Sequence, residues 1–458
     1  MIVTRFAPSP TGFLHIGGLR TALFSYLWAR KNNGKFLLRI EDTDLARNSG
    51  EATAAILEAF KWARMEHDGA IEYQSKRFAI YKEHIDKLLA SGAAYKCYMT
   101  KEELDALREE QAKRGERPRY DGRYRDGKLP PREGVEPAIR IKAPTEGAIA
   151  IDDGVKGRVE FDWAEVDDFV IARSDGTPTY NFVVAVDDAL MGVTDVIRGD
   201  DHLSNTPKQI AVYRAFGWTP PKFFHVPMIL NGEGKKLSKR DGATDVMEYK
   251  KMGYLPDALL NFLVRLGWSH KDQEIFTISE MKSLFDPSHI NKSASAYNAL
   301  KLAWINHEHI KAAADADLIA LLAEFGADLT TFDRASELIA LCKEKSQTLN
   351  LMAIEANKIL RRPQDFSDLA IVNAEAIALI EEFLNHPHIK MCKKAADFQV
   401  GIDHFLSAKN IKMPQFAKPF RVALFGAAQG ASLSDAIAIL GLGEAKERVN
   451  ILKEKVGR

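Results

Sequence analysis

The sequence is poor in cysteine and has no long apolar run. Its 458 residues include only Cys97, Cys342 and Cys392, which are widely scattered. Such cysteines do not suit a disulfide framework and fit a reducing compartment, so we expect a cytoplasmic protein. No apolar stretch approaches the roughly 20 residues of a membrane span. The start, MIVTRFAPSP, lacks the basic and apolar segments of a secretion signal, so we expect neither membrane association nor a targeting peptide.

Net charge is also absent, because 63 Lys and Arg balance 63 Asp and Glu. This balance argues against a protein that binds nucleic acid over its whole surface. Two windows are nevertheless basic: residues 113–132 hold eight Lys or Arg against three acids, and residues 390–421 hold seven against two. Either window alone is equally well explained as a solvated face. Two windows far apart in the chain favour a long polyanion that contacts both.

The hydrophobic pattern predicts an α/β protein with an insert, and the length suggests about three domains. Strand, helix, strand and helix alternate from IVTRFAPS to SGEATAAILEAFKWA, which is the opening of a parallel sheet. From about residue 70 to 175, short strands and one charged helix predict an inserted module. The parallel pattern resumes with DFVIARSD and continues to the strand KFFHVPMIL. From about residue 240 onward the chain is predicted to be nearly all helical.

The first motif that could bind a ligand or take part in a reaction is FAPSPTGFLHIGG, residues 6–18. A glycine-rich turn from a strand into a helix presents backbone N–H groups and the positive end of the helix dipole to a phosphate. His15 at its end can donate a hydrogen bond to a phosphoryl oxygen. The alternative is a capped turn with a packed histidine.

The second motif is NGEGKKLSKRDGA, residues 231–243, in a glycine-rich loop after a strand. It concentrates Lys235, Lys236, Lys239 and Arg240 around Ser238. A loop of this kind can close on a triphosphate and stabilise charge that develops in the transition state. The alternative is a solvated basic loop.

Together, HIGG and KLSKR resemble the HIGH and KMSKS motifs of class I aminoacyl-tRNA synthetases. The longer strings RFAPSPTGFLHIGGLRTALF, LRIEDTD, SDGTPTYNFVVAVDD and VIRGDDHLSNTPKQ resemble bacterial glutamyl-tRNA synthetases in particular. The resemblance implies a Rossmann-type parallel sheet split into residues 1–70 and 176–235, with an inserted α+β acceptor-end-binding domain at 71–175. It further implies a KMSKS loop and stem-contact domain at 236–315, and an all-α anticodon-binding region at 316–458 with subdomains near 316–370 and 371–458.

The activity implied by the resemblance is the ATP- and Mg²⁺-dependent attachment of L-glutamate to tRNA(Glu) through a glutamyl-adenylate, by a monomer. The implied catalytic residues are His15, Lys236 and Lys239. The implied ATP site consists of Ala7, Pro8, Ser9, His15, Gly17, Gly18, Asp201, Leu237, Ser238 and Lys239. The implied glutamate site consists of Arg5, Ser9, Glu41, Tyr180 and Arg198. The implied tRNA contacts are Arg117, Arg119, Asn357, Lys358, Lys412 and Lys418.

Within the glutamate site, the resemblance gives each charged residue a role. Arg5 holds the α-carboxylate, Glu41 the α-amino group, and Arg198 with Tyr180 the side-chain carboxylate. A guanidinium group can donate two parallel hydrogen bonds to a carboxylate. An amide in the same place would leave the positive charge without an anionic partner. The alternative for Arg198 is a structural ion pair with Asp200 or Asp201.

The chain departs from the family pattern in two places. Some members hold zinc in the insert, but KCYMT and DGRYRD offer Cys97 with Met99 and Tyr124 where further cysteines are needed. One thiolate cannot form a four-coordinate site, so we predict no zinc and no other metal site. Asn357 stands where members that accept only tRNA(Glu) often have arginine. The tRNA range therefore stays open: tRNA(Glu) alone, tRNA(Gln) as well, or one enzyme of a specialised pair.

Three other functions compete with this interpretation. Glutaminyl-tRNA synthetases share both motifs, but the helical C-terminal region and Arg198 oppose that assignment. Enzymes that attach activated glutamate to a tRNA base resemble the catalytic half alone, whereas this chain continues for about 150 residues more. A non-catalytic binding protein is opposed by the intact His15, Lys236 and Lys239.

Overall fold

A computed structural model of the chain describes residues 1–10, 12–43, 49–237 and 245–456. The chain divides into two compact units. The first contains Met1–Lys250 and Pro256–Leu302, and the second contains Lys251–Leu255 and Ala303–Arg458. The finer domain limits expected from the sequence stay predictions. Within the described ranges, no helix is both long and apolar enough to cross a membrane.

Strands are confined to the first unit in the described part of the chain. In chain order they are β1 (Val3–Phe6), β2 (Lys35–Ile40), β3 (Glu72–Tyr73), β4 (Ala94–Cys97), β5 (Ala138–Ile141), β6 (Ala148–Asp153), β7 (Gly157–Asp162), β8 (Val170–Ala172), β9 (Asp195–Gly199), β10 (Lys222–Val226), β11 (Ile229–Leu230) and β12 (Ser295–Ala296).

Helices occur in both units. They are α1 (Ile16–Lys31), α2 (Gly50–Trp62), α3 (Phe78–Ala90), α4 (Lys101–Lys113), α5 (Tyr180–Leu190), α6 (Thr206–Phe216), α7 (Val246–Lys251), α8 (Pro256–Arg265), α9 (Ile278–Leu284), α10 (Ala299–Ala312), α11 (Asp315–Leu322), α12 (Ala335–Lys343), α13 (Leu349–Leu360), α14 (Ala374–Asn385), α15 (Pro387–Met391), α16 (Ala395–Lys409), α17 (Met413–Phe425) and α18 (Leu433–Val456).

Parallel strands form on both sides of the insert, as predicted, in two hydrogen-bonded groups. β2 pairs in parallel with β1 and β3, and β9 pairs in parallel with β10. The two groups meet where the Thr194 backbone N–H donates to the carbonyl of Val3, at 2.9 Å. Because the strands run in the same direction, their carboxyl ends share one edge, where α/β sheets bind ligands.

The insert forms small antiparallel sheets. β4, β5 and β8 make one sheet, and β6 and β7 make a hairpin. The prediction that the parallel sheet resumes at DFVIARSD is wrong, because β8 pairs antiparallel with β5. Apolar residues in so short a strand show that it is buried but not which partner it has, so the parallel sheet resumes only at β9.

Helix α1 lies on the parallel sheet and carries the first motif at its start. Leu19, Leu23 and Leu27 are fully buried on its apolar face. The turn from α1 into β2 passes close to the chain start, since a Cβ on Gly34 would lie 2.1 Å from the carbonyl oxygen of Ile2. Glycine is therefore required at this turn for a close approach between two backbone segments.

The second unit is helical and has its own core. Phe383 of α14 forms edge-to-face aromatic pairs with Phe416 and Phe420 of α17. The buried Arg448 of α18 donates to the carbonyl of Leu424 at 2.7 Å and to that of Ile359, near the end of α13, at 2.6 Å. These bonds satisfy carbonyls that helix ends leave unpaired and tie three helices together.

Cys97, the cysteine considered for a zinc site, ends β4. It is buried in a small cluster with Tyr120 and Tyr124, against which Met99 packs. The zinc-free insert stays a prediction.

Candidate active site

A cleft of about 790 Å³ opens at the carboxyl edge of the parallel sheet. Thirteen of the residues that the sequence assigns to catalysis, ATP or glutamate line it: Arg5, Ala7, Pro8, Ser9, His15, Gly17, Gly18, Glu41, Tyr180, Arg198, Asp201, Lys236 and Leu237. They come from both parts of the split sheet, so the fold brings distant segments into one site. Ser238 and Lys239 lie outside the described residues.

His15 both caps helix α1 and faces the cleft. Its Nδ1 accepts from the Gly18 backbone N–H at 3.3 Å, so the capped turn considered from the sequence is present. Desolvation within the cleft, and then Lys236, lower the pKa of His15. A neutral ring whose Nδ1 accepts carries its proton on Nε2. The ring therefore has one N–H left to donate, as a phosphoryl contact requires.

The described part of the second motif and the chain that follows it line the same cleft as the first motif. The Leu237 N–H donates to the carbonyl of Ile229 at 3.0 Å, and the Val246 N–H donates to that of Leu14 at 2.9 Å. Lys236 Nζ lies 3.9 Å from Asp201 Oδ2, and both residues line the cleft. The Val246 contact places the chain after the motif beside Leu14 of the first motif, and Lys236 and Leu237 line the same cleft as the HIGG turn.

Arg198, on β9, is a buried cation whose hydrogen-bond partners among the described residues are neutral. Its Nε donates to His225 Nε2 at 3.1 Å, and its terminal nitrogens donate to Gln209 Oε1 and Thr206 Oγ1, each at 2.8 Å. Burial lowers the pKa of Arg198 to about 10, which still leaves it charged at neutral pH. One N–H on each terminal nitrogen stays available, because a guanidinium has five N–H donors.

The structural ion pair considered for Arg198 is not observed among the described residues. Asp200 pairs with Lys156 at 2.8 Å, and Asp201 is next to Lys236. A buried guanidinium without a carboxylate carries a desolvation cost that an anionic ligand can offset. The cleft therefore favours a negatively charged group at Arg198.

Arg5 and Glu41 belong to a buried ionic network. Asp188 of α5 accepts from Arg5 Nε at 3.1 Å and from Arg39 NH1 at 2.6 Å. Arg39 also donates through NH2 to Glu41 Oε1, at 3.2 Å. Burial alone would raise the pKa of Asp188, but Arg5 and Arg39 hold it below its usual range. The Asp188–Arg39 pair thus fixes one cation and one anion of the cleft relative to each other.

Tyr180 begins α5 and lies at the mouth of the cleft. Its hydroxyl is 3.2 Å from His202 Nδ1, and 38% of the residue is exposed. Desolvation, and then the charge of Glu41, raise the pKa of Tyr180, so the hydroxyl stays protonated and can donate.

Comparison with known proteins identifies the family. Residues 1–304 match the catalytic domain of class I tRNA synthetases (E and Q), and residues 306–452 match an anticodon binding domain. The chain is 61% identical over 459 residues to glutamate–tRNA ligase 2 of a Nitratiruptor species, covering 99% of each. It is 58% identical over 454 residues to glutamate–tRNA ligase 1 of a Sulfurovum species, covering 98% of each. The chain belongs to the glutamate–tRNA ligase family.

Solved structures of this family have the same fold. A glutamate tRNA ligase from Elizabethkingia meningosepticum, crystallised with its amino acid, aligns with a TM-score of 0.88 at 32% identity over 99% of both chains. A glutamate-tRNA synthetase from Elizabethkingia anophelis aligns with a TM-score of 0.84 at 31% identity, again over 99% of both chains.

The residues assigned to tRNA in this ligase-family chain lie outside the cleft, at the surface. Arg117 pairs with Glu165, and Arg119 donates to the carbonyl of Ala164. Asn357 donates to the carbonyl of Gly326 at 3.1 Å, and Lys358 pairs with Glu355. Lys412 and Lys418 are exposed near the start and middle of α17.

Several residues that hold the ligase cleft in shape were not predicted. Arg39 lies within the apolar strand KFLLRI, and Asp187 and Asp188 lie within the apolar helix YNFVVAVDDAL. Charged residues inside apolar runs must find partners when buried, so they were a detectable signal. His225 carried the same signal within the apolar strand KFFHV, whereas Asp153 follows Asp152 at the polar end of β6 and carried none.

Proposed function

We propose that this chain attaches L-glutamate to tRNA(Glu) in two steps. An oxygen of the glutamate α-carboxylate attacks the α-phosphorus of ATP, and pyrophosphate leaves. A terminal ribose hydroxyl of the tRNA then attacks the carbonyl carbon of the adenylate, and AMP leaves. The observation that carries the proposal is the buried Arg198, which has only neutral partners among the described residues in the cleft of a glutamate–tRNA ligase family member.

Charge complementarity supports the assignment of glutamate to the cleft. Glutamate carries two carboxylates and one ammonium group, and the cleft holds the cations Arg5 and Arg198 with the acid Glu41. Arg5 binds the α-carboxylate, Glu41 the ammonium group, and Arg198 with the Tyr180 hydroxyl the side-chain carboxylate. Burial raises the pKa of Glu41, against the effect of Arg39 and Arg5. The ammonium group of bound glutamate favours the ionised form of Glu41, and the resulting attraction strengthens the binding of glutamate.

The first step depends on positioning and on stabilisation of charge at the phosphates. The neutral His15 donates its Nε2–H to a phosphate oxygen, while Lys236 and Lys239 act on the charge that develops there. The backbone of Ala7, Pro8 and Ser9 and the glycines at the start of α1 accept the nucleotide closely.

Mg²⁺ enters with ATP in this proposal, since phosphate oxygens are ligands that it prefers. In the ranges that the structure describes, no group of three or more His, Cys, Asp or Glu side chains could hold a metal ion.

Aminoacylation assays test the function directly. Purified chain, ATP and Mg²⁺ are incubated with labelled glutamate or glutamine and with transcripts of tRNA(Glu) or tRNA(Gln), each in its own reaction. The expected result is esterification of glutamate, and not glutamine, to tRNA(Glu); charging of tRNA(Gln) as well shows a wider tRNA range. Glutamine as the preferred amino acid, or no charging of either transcript, contradicts the proposal.

A further inference from the structure

A buried chain of hydrogen bonds lies behind Arg198. On strand β10, His225 is directly opposite Arg198 of β9 in the parallel register. Its Nε2 accepts from Arg198 Nε at 3.1 Å, and its Nδ1 lies 2.6 Å from Asp153 Oδ2. His225 is completely buried and Asp153 is 4% exposed. Both contacts are therefore shielded from solvent.

Asp153 is held at the end of strand β6 by backbone N–H groups. Its Oδ1 accepts from Val155 at 2.9 Å and from Lys156 at 2.8 Å. The next residue, Gly154, packs so closely on β10 that a Cβ there would lie 2.1 Å from the Phe224 ring. The hairpin turn thus fixes the carboxylate against β10.

The bonding pattern selects one tautomer of His225. Burial alone would raise the pKa of Asp153, but the hydrogen bond from His225 and two backbone N–H groups hold it below its usual range. An ionised carboxylate only accepts, so His225 Nδ1 carries the hydrogen. Burial lowers the pKa of His225, so the ring is neutral and its Nε2 is an acceptor.

We propose that His225 and Asp153 are positioning residues, which orient Arg198 toward the side-chain carboxylate of glutamate and leave its charge uncompensated. The proposal rests on the proposed function. A carboxylate in direct contact with Arg198 would neutralise the guanidinium before the substrate arrived. The neutral imidazole holds Nε without cancelling the charge, so the two remaining terminal N–H groups meet the substrate as a full cation.

Asp153→Asn tests the tautomer directly. Oδ1 must stay the acceptor for Val155 and Lys156, so the amide nitrogen takes the Oδ2 position beside His225 Nδ1. The imidazole ring of His225 then carries its hydrogen on Nε2. This N–H group points at the N–H group of Arg198 Nε, so the hydrogen bond between them is lost. We expect kcat/KM for glutamate to fall roughly tenfold to hundredfold, the range for loss of one hydrogen bond to a charged group. The fall lies mainly in KM, whereas KM for ATP is unchanged.

His225→Gln and His225→Phe separate hydrogen bonding from packing. An amide can donate to Asp153 and accept from Arg198, so His225→Gln should retain most of the preference for glutamate over glutamine. His225→Phe keeps a ring but loses both bonds and should narrow that preference. His84→Phe on α3 and Asp86→Asn are the matched controls, because neither residue lines the cleft; both should keep the preference of the unaltered chain.

The outcomes distinguish this proposal from the proposed function. If the unaltered chain charges glutamate and Asp153→Asn keeps both its KM for glutamate and its glutamate-to-glutamine ratio, the positioning role is wrong and the function stands. The positioning role is also wrong if His225→Gln and His225→Phe have the same glutamate-to-glutamine ratio of kcat/KM. If His225→Phe does not fold, as judged by thermal melting, Asp153→Asn decides. Failure of the unaltered chain to use glutamate refutes the function itself.

Discussion

At the residue scale, His15 has two tasks that substitution can separate. Asn also caps helices, so His15→Asn should keep the stability of the chain, whereas His15→Ala should lose about 1 kcal/mol. Both variants remove the Nε2–H group, so both should greatly slow adenylate formation. Urea unfolding measures the first effect, and ATP–pyrophosphate exchange with tRNA present measures the second. An unchanged exchange rate in His15→Asn would show that the imidazole serves only as a cap.

The cleft residues that lie within a contiguous family-like string could be predicted from the sequence. Arg5, His15 and Arg198 each lie in a string that resembles the family, and all three line the cleft. The residues that support them could not be found in this way. Asp153 and His225 are 72 positions apart and meet only because the insert's hairpin packs on β10. Such a contact depends on tertiary structure and leaves no local periodicity.

At the scale of elements, the turn between α1 and β2 depends on one glycine. A Cβ on Gly34 would lie 2.1 Å from a backbone oxygen, which cannot move as the end of a flexible side chain can. Gly34→Ala should therefore destabilise the chain by about 1–3 kcal/mol, the usual cost of overpacking. Equilibrium unfolding in urea measures the loss.

Gly50→Ala is the matched control for this substitution. Gly50 begins α2, and a Cβ there would meet nothing within 4 Å. Alanine also favours a helix more than glycine does, so stability should stay the same or rise slightly. If the two variants have equal unfolding free energies, close backbone approach does not explain Gly34.

The sequence predicted whether most segments are helices or strands, but it did not always predict which strands pair with each other. The apolar helices and the alternation of strand and helix identified the parallel sheet. The short strand β8 was assigned to that sheet and instead pairs with β5 of the insert. Strand direction and partner depend on which segment is adjacent in space, and three residues hold no information on this.

At the scale of the whole molecule, the two basic windows differ in how far their charge is compensated. In residues 113–132, ion pairs join Arg114 to Glu116, Arg117 to Glu165, Arg123 to Asp121, Arg125 to Asp168 and Arg132 to Glu103. In residues 390–421, Lys409 pairs with Glu382, whereas Lys412 and Lys418 have no ion pair among the described residues. A count of charges in the sequence cannot show this difference.

Charge reversal should therefore affect tRNA binding unequally. Changing both Lys412 and Lys418 to Glu should weaken tRNA binding and flatten its dependence on salt by about one logarithmic slope unit per lysine. The pair Arg114→Glu and Arg123→Glu should change the slope less, because those charges are already compensated. Filter binding of labelled tRNA across a salt series provides the slopes. Equal slopes for the two double variants and the unaltered chain would mean that both windows are solvated faces.

The most direct measurement is the ratio of kcat/KM for glutamate to that for glutamine in Arg198→Gln. The two amino acids have nearly the same shape, so charge must separate them, and an amide leaves the buried guanidinium without its partner. Loss of one partner of a buried pair costs about 3–5 kcal/mol, which is roughly a hundredfold to several thousandfold in preference. Arg198→Gln should lose most activity with glutamate and most of this preference. A ratio that stays at the value of the unaltered chain, in a variant with an unchanged melting temperature, would contradict the account.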